Sequence, residues 1–308
     1  MKRHEKVRGA DWMGPAGWAL TAALLGGCYR PNLRMVAQEE KAYRLDVGPG
    51  QIVELWTGHG SIEVRGEPRA DLLVNVRFSA LGVTQEEADR RLGLFQVIGR
   101  TIPLGAVLHV DVAAGGEAQG LIATIEASAP RGSALRLAAA GGPARIVDIR
   151  APVDVETSHG SIYLGRIEGA VRARTTDGAV VGEDLALTGT GAMSRFETTN
   201  GTVELEAARL EHPLQIEARG APVDLILPAE GSYLFDLQTR KGAISIRGAG
   251  QTVAESASGR RLTHAIGGGQ IPVTINTSAG DVVVRLRAAR SEAPRGDAAA
   301  APSAEAGR

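Results

Sequence analysis

The chain has 308 residues, with 44% hydrophobic, 4% aromatic and 13% glycine content (40 residues), and 34 basic against 35 acidic side chains. Its slight negative charge leaves no basic excess to neutralise phosphates, which argues against nucleic-acid binding. Its one cysteine excludes intrachain disulfides and any cysteine-based metal cluster.

The first 27 residues read as a targeting segment. Lys2, Arg3, Lys6 and Arg8 form a positive head, which also holds Glu5 and Asp11. Trp12 to Leu25 is uncharged and mostly apolar, too short for the roughly 20 residues of a spanning helix. It ends in Leu25-Gly26-Gly27-Cys28. That run, an aliphatic residue, two small ones and a cysteine, resembles the lipobox of bacterial lipoproteins. The resemblance implies cleavage between Gly27 and Cys28 and lipidation of the Cys28 thiol, and hence a membrane partner through an N-terminal lipid. The alternative is an ordinary secretory signal with an unmodified Cys28. Residue 29 is Tyr rather than Asp. By resemblance to Gram-negative sorting rules this favours the outer membrane.

Without residues 1–27 the chain carries 30 basic and 33 acidic groups. Residues 28–46 are polar and charged and are expected to be a tether. A β-solenoid body is expected over 47–287, made of an insertion at 66–130 and a main stack at 131–287. Its first coil surrounds Thr57-Gly58-His59-Gly60. Within the insertion, Asp71 to Phe78, Ala106 to Val112 and Leu121 to Ala127 read as strands. Thr84-Gln85-Glu86-Glu87 is a capping-box start to an amphipathic helix reaching about Leu94.

The main stack repeats one motif, Thr-x-x-Gly-x-[Ile/Val]. With the first coil it occurs six times, with glycines at 60, 160, 178, 201, 242 and 280, and degenerate copies stand at Gly142 and Gly220. Glycines 142, 160, 178, 201, 220 and 242 are 18 to 23 residues apart, the length of one solenoid coil. Each flank alternates with period two, so each is a half-buried strand. Apolar positions are odd before the glycine (Leu55, Val155, Phe196, Leu237) and even after it (Ile62, Ile162, Val203, Ile244). A bend at each x-Gly, where glycine takes positive φ at little cost, keeps both flanks on one core. Ser194 and Gly182 interrupt the apolar columns. The expected fold is therefore all-β: a right-handed β-helix of 18–23-residue coils with one short helix near the N-terminal side. About seven coils would make a rod of roughly 30–35 Å. The alternative is an antiparallel meander in which each x-Gly closes a hairpin. From Ala288 onward the composition is that of a disordered tail.

The order of parts resembles the DUF4097 family of β-strand-repeat, adhesin-like proteins. It runs from the coil Ile62-Glu63-Val64-Arg65-Gly66, through a β stretch and a Glu-rich helix at Glu86 to Arg91, to Ala129-Pro130-Arg131-Gly132 and the repeated coils. The resemblance covers roughly Val47 to Arg287. It implies a β-helix-like domain at the cell envelope and no catalytic residues to carry over.

Few side chains suggest chemistry. The triplets His59-Gly60-Ser61 and His159-Gly160-Ser161 invite a metal or nucleophile site, but the other copies hold Asp, Asn, Lys and Ala at that position. His109, His212 and His264 have no ligand-like spacing. Asp154, Glu156, Glu204, Glu206 and Asp224 alternate with inward aliphatic residues and are expected on the outer face. No catalytic residue, metal or cofactor is expected. The expected function is a non-enzymatic envelope adhesin or scaffold, with an envelope polymer or protein as possible partner. The competing reading, a carbohydrate-active β-helix enzyme, calls for a long groove rimmed by acidic and aromatic residues. With aromatics this scarce, a plain surface is expected.

Overall fold

The computed structural model describes residues 35–48, 50–112, 118–189, 191–248, 251–256 and 260–288. They form 23 strands and one helix, arranged as a 12-stranded and an 11-stranded sheet. No helix among them is long and apolar enough to cross a membrane.

The unit is a coil of two strands, one in each sheet, joined across an x-Gly corner. Chain order and stack order coincide over five such coils: β8–β9 (Ala134–Ala139, Ala144–Val147), β10–β11 (Val153–His159, Ile162–Gly165), β12–β13 (Val171–Asp177, Val180–Leu187), β14–β15 (Ser194–Asn200, Val203–Leu210) and β16–β17 (Leu214–Ala218, Val223–Pro228). Neighbouring coils pair in parallel, as in Val153↔Val171 and Ile162↔Val180. The corner thus links strands of different sheets rather than hairpin partners, which excludes the meander.

At each end the stacking order departs from the chain order. The coil β2–β3 (Ile52–Thr57, Ile62–Glu67) lies on β8–β9, and the coil β6–β7 (Gly105–Val112, Leu121–Pro130) lies outside it. The segment read as an insertion therefore lengthens the stack. At the other end, the last strands among the described residues, β22–β23 (Ile271–Thr277, Val282–Arg287), sit on β16–β17, with β18–β19 (Tyr233–Thr239, Ile244–Gly248) outside them. Glycines 220 and 242 are thus not in successive coils; the coil of Gly280 lies between. Nine coils are present among the described residues, not seven, and at about 4.8 Å per strand the stack is roughly 40 Å long.

Antiparallel strands close both ends. β4 (Asp71–Gly82) pairs with β7, β1 (Met35–Asp46) with β4, and β5 (Phe95–Ile102) with β6. β20 (Gln251–Ser256) and β21 (Arg261–Ile266) pair with β19 and β18. Residues 35–46, expected as tether, are therefore an edge strand in register with β4. The helix α1 (Gln85–Leu92) packs against β4 and β1 and ends before Leu94. Thr84 caps it by accepting from the Glu87 N–H at 3.2 Å, while Glu87 Oε2 accepts from the Val83 N–H.

The core is a set of aligned columns. One runs Leu108, Leu55, Leu137, Val155, Ala173, Phe196, Ile216, Ile275, Leu237, every member at most 2% exposed. Each Val, Leu or Ile so buried contributes about 1.5–3 kcal/mol. The small Ala173 lies beside the large Phe196, keeping the layer evenly filled. At Gly182 a bulge in β13 brings Leu185 into the column; a Cβ on Gly182 would stand 2.6 Å from Leu185 Cδ1.

The corners explain the motif, with one correction. Positive φ occurs at Gly60, Gly242 and Gly280 but not at Gly160, Gly178 or Gly201. There glycine is required because coils touch. A Cβ on Gly178 would lie 2.2 Å from the Gly160 carbonyl oxygen, and one on Gly201 1.9 Å from that of Gly178. The repeated threonine answers the same carbonyls. Thr157, Thr175 and Thr198 donate to the carbonyls of Gly142, Gly160 and Gly178 at 2.9, 2.8 and 3.0 Å. Thr239 does so to Gly280, and Thr277 to Ala221. Each of these hydroxyls ties a coil to its neighbour in the stack, whereas the Thr57 hydroxyl of the first coil is buried without a hydrogen-bond partner.

Candidate functional site

Gly27 and Cys28, the expected cleavage and lipidation site, lie outside the described residues, as do residues 1–34 and 289–308.

The two histidine triplets do not meet. His59 and His159 are exposed at corners two coils apart, with Gly141 of the intervening coil between them. His159 Nδ1 lies 2.9 Å from Asp177 Oδ2, and Asn200 donates to Asp177 Oδ1 at 2.7 Å. The Asn200 amide, with His159 as a further partner, holds the Asp177 carboxyl below its usual range. These three side chains form a polar ladder along the corners. No group of three or more His, Cys, Asp or Glu among the described residues is arranged to hold a metal ion.

The carboxylates point outward, as their alternation predicts. Several sit in ion pairs between coils: Glu156 with Arg174 at 3.9 Å, Glu206 with Arg287 at 2.7 Å, and Asp224 with Arg285 at 2.6 Å. Arg195 joins Glu197 to Glu217 of the next coil. Burial raises the Asp224 pKa against the pull of Arg285. Glu204 stands directly opposite Asp224 across β15 and β17, and its charge adds to the rise of the Asp224 pKa.

A buried Ser–His contact was not foreseen. Ser194, the polar break in an apolar column, accepts from the Val171 N–H at 3.0 Å, and its Oγ is 2.7 Å from His212 Nε2. Both side chains are buried, at 0% and 3% exposure, so no substrate reaches them. Burial lowers the His212 pKa and keeps the ring neutral; the Thr188 carbonyl opposes this. The Ser194 hydroxyl donates to Nε2 of the neutral ring, which completes the hydroxyl's hydrogen bonds and lets a serine replace a valine in the core. The only sequence clue was the break itself, with a histidine 18 residues on.

An open groove of about 1050 Å³ lies where β16, β22 and β18 reach their corners. Glu217, Arg219, Gln238, Arg240, Asn276 and Ser278 line it, with Arg260, just before β21, at its rim. This differs from the plain surface expected. It also differs from an enzyme cleft: its one acid, Glu217, is paired with Arg195, and no aromatic lines it. Arg219, Arg240, Lys241 and Arg260 pair with no described carboxylate. A shallower cleft of about 230 Å³ along the opposite rim includes Ile52, Pro152, Ala170 and Met193.

The model of the Toastrack DUF4097 family matches residues 132–285, half of the chain. No curated protein matches. Among solved structures, a candidate cell adhesion protein from Clostridium sporogenes is 10% identical, with 82% of this chain and all of that one covered and a TM-score of 0.36. A candidate adhesin from Bacteroides fragilis is 11% identical over 80% of this chain and 97% of the other, with a TM-score of 0.39. A candidate lipid-binding protein from Parabacteroides distasonis is 6% identical over 80% and 94%, with a TM-score of 0.32. All three scores are below the level that marks a shared fold.

Proposed function

Since the chain belongs to the Toastrack DUF4097 family, we propose that it is a non-enzymatic protein of the bacterial cell envelope, held to a membrane by a lipid on Cys28, with its solenoid as an adhesin-like or scaffold surface. The observation that carries this is the stacked body itself. Nine coils in register hold their outward side chains in ladders over two long sheets, a rigid lattice suited to display. Three of the outward acids, Glu156, Glu206 and Asp224, are taken up in pairs with arginines of other coils, which supports display rather than turnover.

The anchor reading rests on the Leu25-Gly26-Gly27-Cys28 run and on where the fold begins. β1 starts at Met35, on the end strand of the 12-stranded sheet. Seven residues from Cys28 span at most about 25 Å, so a lipid there would hold this end of the stack near the bilayer. The outer membrane is the destination that Tyr29 favours.

The test is metabolic labelling with a palmitate analogue in a bacterial host that processes lipoproteins, followed by membrane fractionation. The wild-type chain should take up label and sediment with the outer membrane, whereas Cys28→Ala should remain unlabelled. Equal labelling of both chains, or an unlabelled wild type, would refute the anchor.

A further inference from the structure

We infer that the groove over β16, β22 and β18 is a binding site for an acidic polysaccharide, whose carboxylates are taken by Arg219, Arg240 and Arg260. This deepens the envelope-surface reading and rests on it for the source of the polymer.

The charge pattern is the first support. Elsewhere on the outer faces Arg174, Arg195, Arg261, Arg285 and Arg287 are engaged by acids. Arg100 and Arg172 also stand without such a partner, but singly, whereas the groove gathers three unpaired guanidinium groups, available to a ligand's carboxylates in the fork geometry they favour.

The spacing is the second. Ala218, Thr277 and Thr239 lie side by side across the strands. Arg219, Ser278 and Arg240 follow them in the next row, and the Arg260 carbonyl accepts from the Thr239 N–H at 3.3 Å. Arg219 and Arg240 are therefore two strand spacings apart, roughly 10 Å, and Arg260, opposite Thr239 and so one residue off that row, lies about one spacing further on. A sugar ring in an extended chain is about one strand spacing long, so uronate units laid across the strands would present carboxylates at matching intervals.

The remaining lining suits a sugar. The Gln238 and Asn276 amides and the Ser278 hydroxyl, which donates to the Arg219 carbonyl at 3.0 Å, offer donors and acceptors to ring hydroxyls. No aromatic ring lines the groove to stack a base, which sets it apart from a single-stranded nucleic-acid channel. Its position argues against a lipid headgroup. β18 and β21 end the stack opposite to β1, so an N-terminal anchor would hold the groove roughly 40 Å from the bilayer.

The test uses the full-length chain in detergent, with binding followed by calorimetry at two salt concentrations. The probes are oligogalacturonate, a neutral dextran of equal length, and oligo-thymidylate. Oligogalacturonate should bind and dextran should not, and higher salt should weaken the binding. Arg219→Gln, Arg240→Gln and Arg260→Gln should each weaken it about tenfold, as expected for loss of one charge-assisted contact. Arg100→Gln, on β5 at the far end of the stack, should leave it unchanged. All four side chains are exposed or half-exposed, and thermal melts should confirm intact folding. No binding of oligogalacturonate, tighter binding of oligo-thymidylate, or equal loss in Arg100→Gln would overturn the site. None of these outcomes alters palmitate labelling at Cys28, so failure of the groove and failure of the anchor are read separately.

Discussion

Replacing Gly178 by alanine tests whether contact between coils, rather than turn conformation, dictates the glycine column. The added Cβ would lie 2.2 Å from the Gly160 oxygen, 2.4 Å from its carbonyl carbon and 2.8 Å from the Ser161 nitrogen. All three are backbone atoms, so no side-chain rotation relieves the clash, and the two coils must part by about 1 Å to restore van der Waals distance. Two of the hydrogen bonds that cross that gap involve Gly160 itself, Thr175 Oγ1 to the Gly160 oxygen at 2.8 Å and the Gly160 N–H to the Asp177 oxygen at 2.9 Å. Losing them costs about 1 kcal/mol each, and overpacking adds about 1–3 kcal/mol. Reduced freedom of the unfolded chain returns about 0.4–1 kcal/mol. The net is a loss of about 2–4 kcal/mol, or roughly 10 °C in Tm for a body of this size. Gly132→Ala is the control, because a Cβ there meets nothing within 4 Å and its φ is not left-handed. It should melt at or slightly above the wild-type temperature. Calorimetric melts of both variants decide the matter. If Gly178→Ala melts within a degree or two of Gly132→Ala, the contact argument is wrong.

Thr198→Val keeps the shape but removes the donor to the Gly178 carbonyl, and should lower stability by about 1–2 kcal/mol in urea titrations at constant m. His212 should make the fold acid-sensitive. Its folded pKa lies below the unfolded value of about 6.5, so the unfolded chain binds the extra proton; that stability is complete above about pH 6.5 and is lost as the pH falls below it. The fall in Tm between pH 7.5 and 5 should be smaller in His212→Asn. Tyr233, fully buried, has its pKa pushed up to about 12 by burial. The folded state keeps this proton where the unfolded chain has lost it, so stability should decline above about pH 10. Ultraviolet titration should show one tyrosine that ionises only near pH 12, a step that Tyr233→Phe removes.

Much of the coil was legible because its signals are local. Alternation marked the strands, the parity switch marked the corner, and Thr84 with Glu87 marked the helix start. The threonine and glycine columns were visible as columns, but their cause was not, since the partner of Thr198 is a carbonyl 20 residues away in another coil. The order of the end coils was hidden for the same reason: nothing in the 271–287 stretch distinguishes a coil added outside β18–β19 from one inserted beneath it. The residues of β1 resemble a tether because an edge strand exposes much of its side-chain surface, and their charges obscure the period of two. The groove combines three corners that are far apart in sequence, Arg219, Arg240 and Ser278, and becomes a site only when β22 lies between β16 and β18.

That inserted strand has a mechanical consequence. In a solenoid wound in chain order, the final coil is outermost and unzips first when its end is pulled. Here β23 is bonded to β17 on one side and β19 on the other. Tension applied beyond Arg287 therefore loads both ladders in shear at once, and β23 acts as a bolt between two plates rather than as a loose thread.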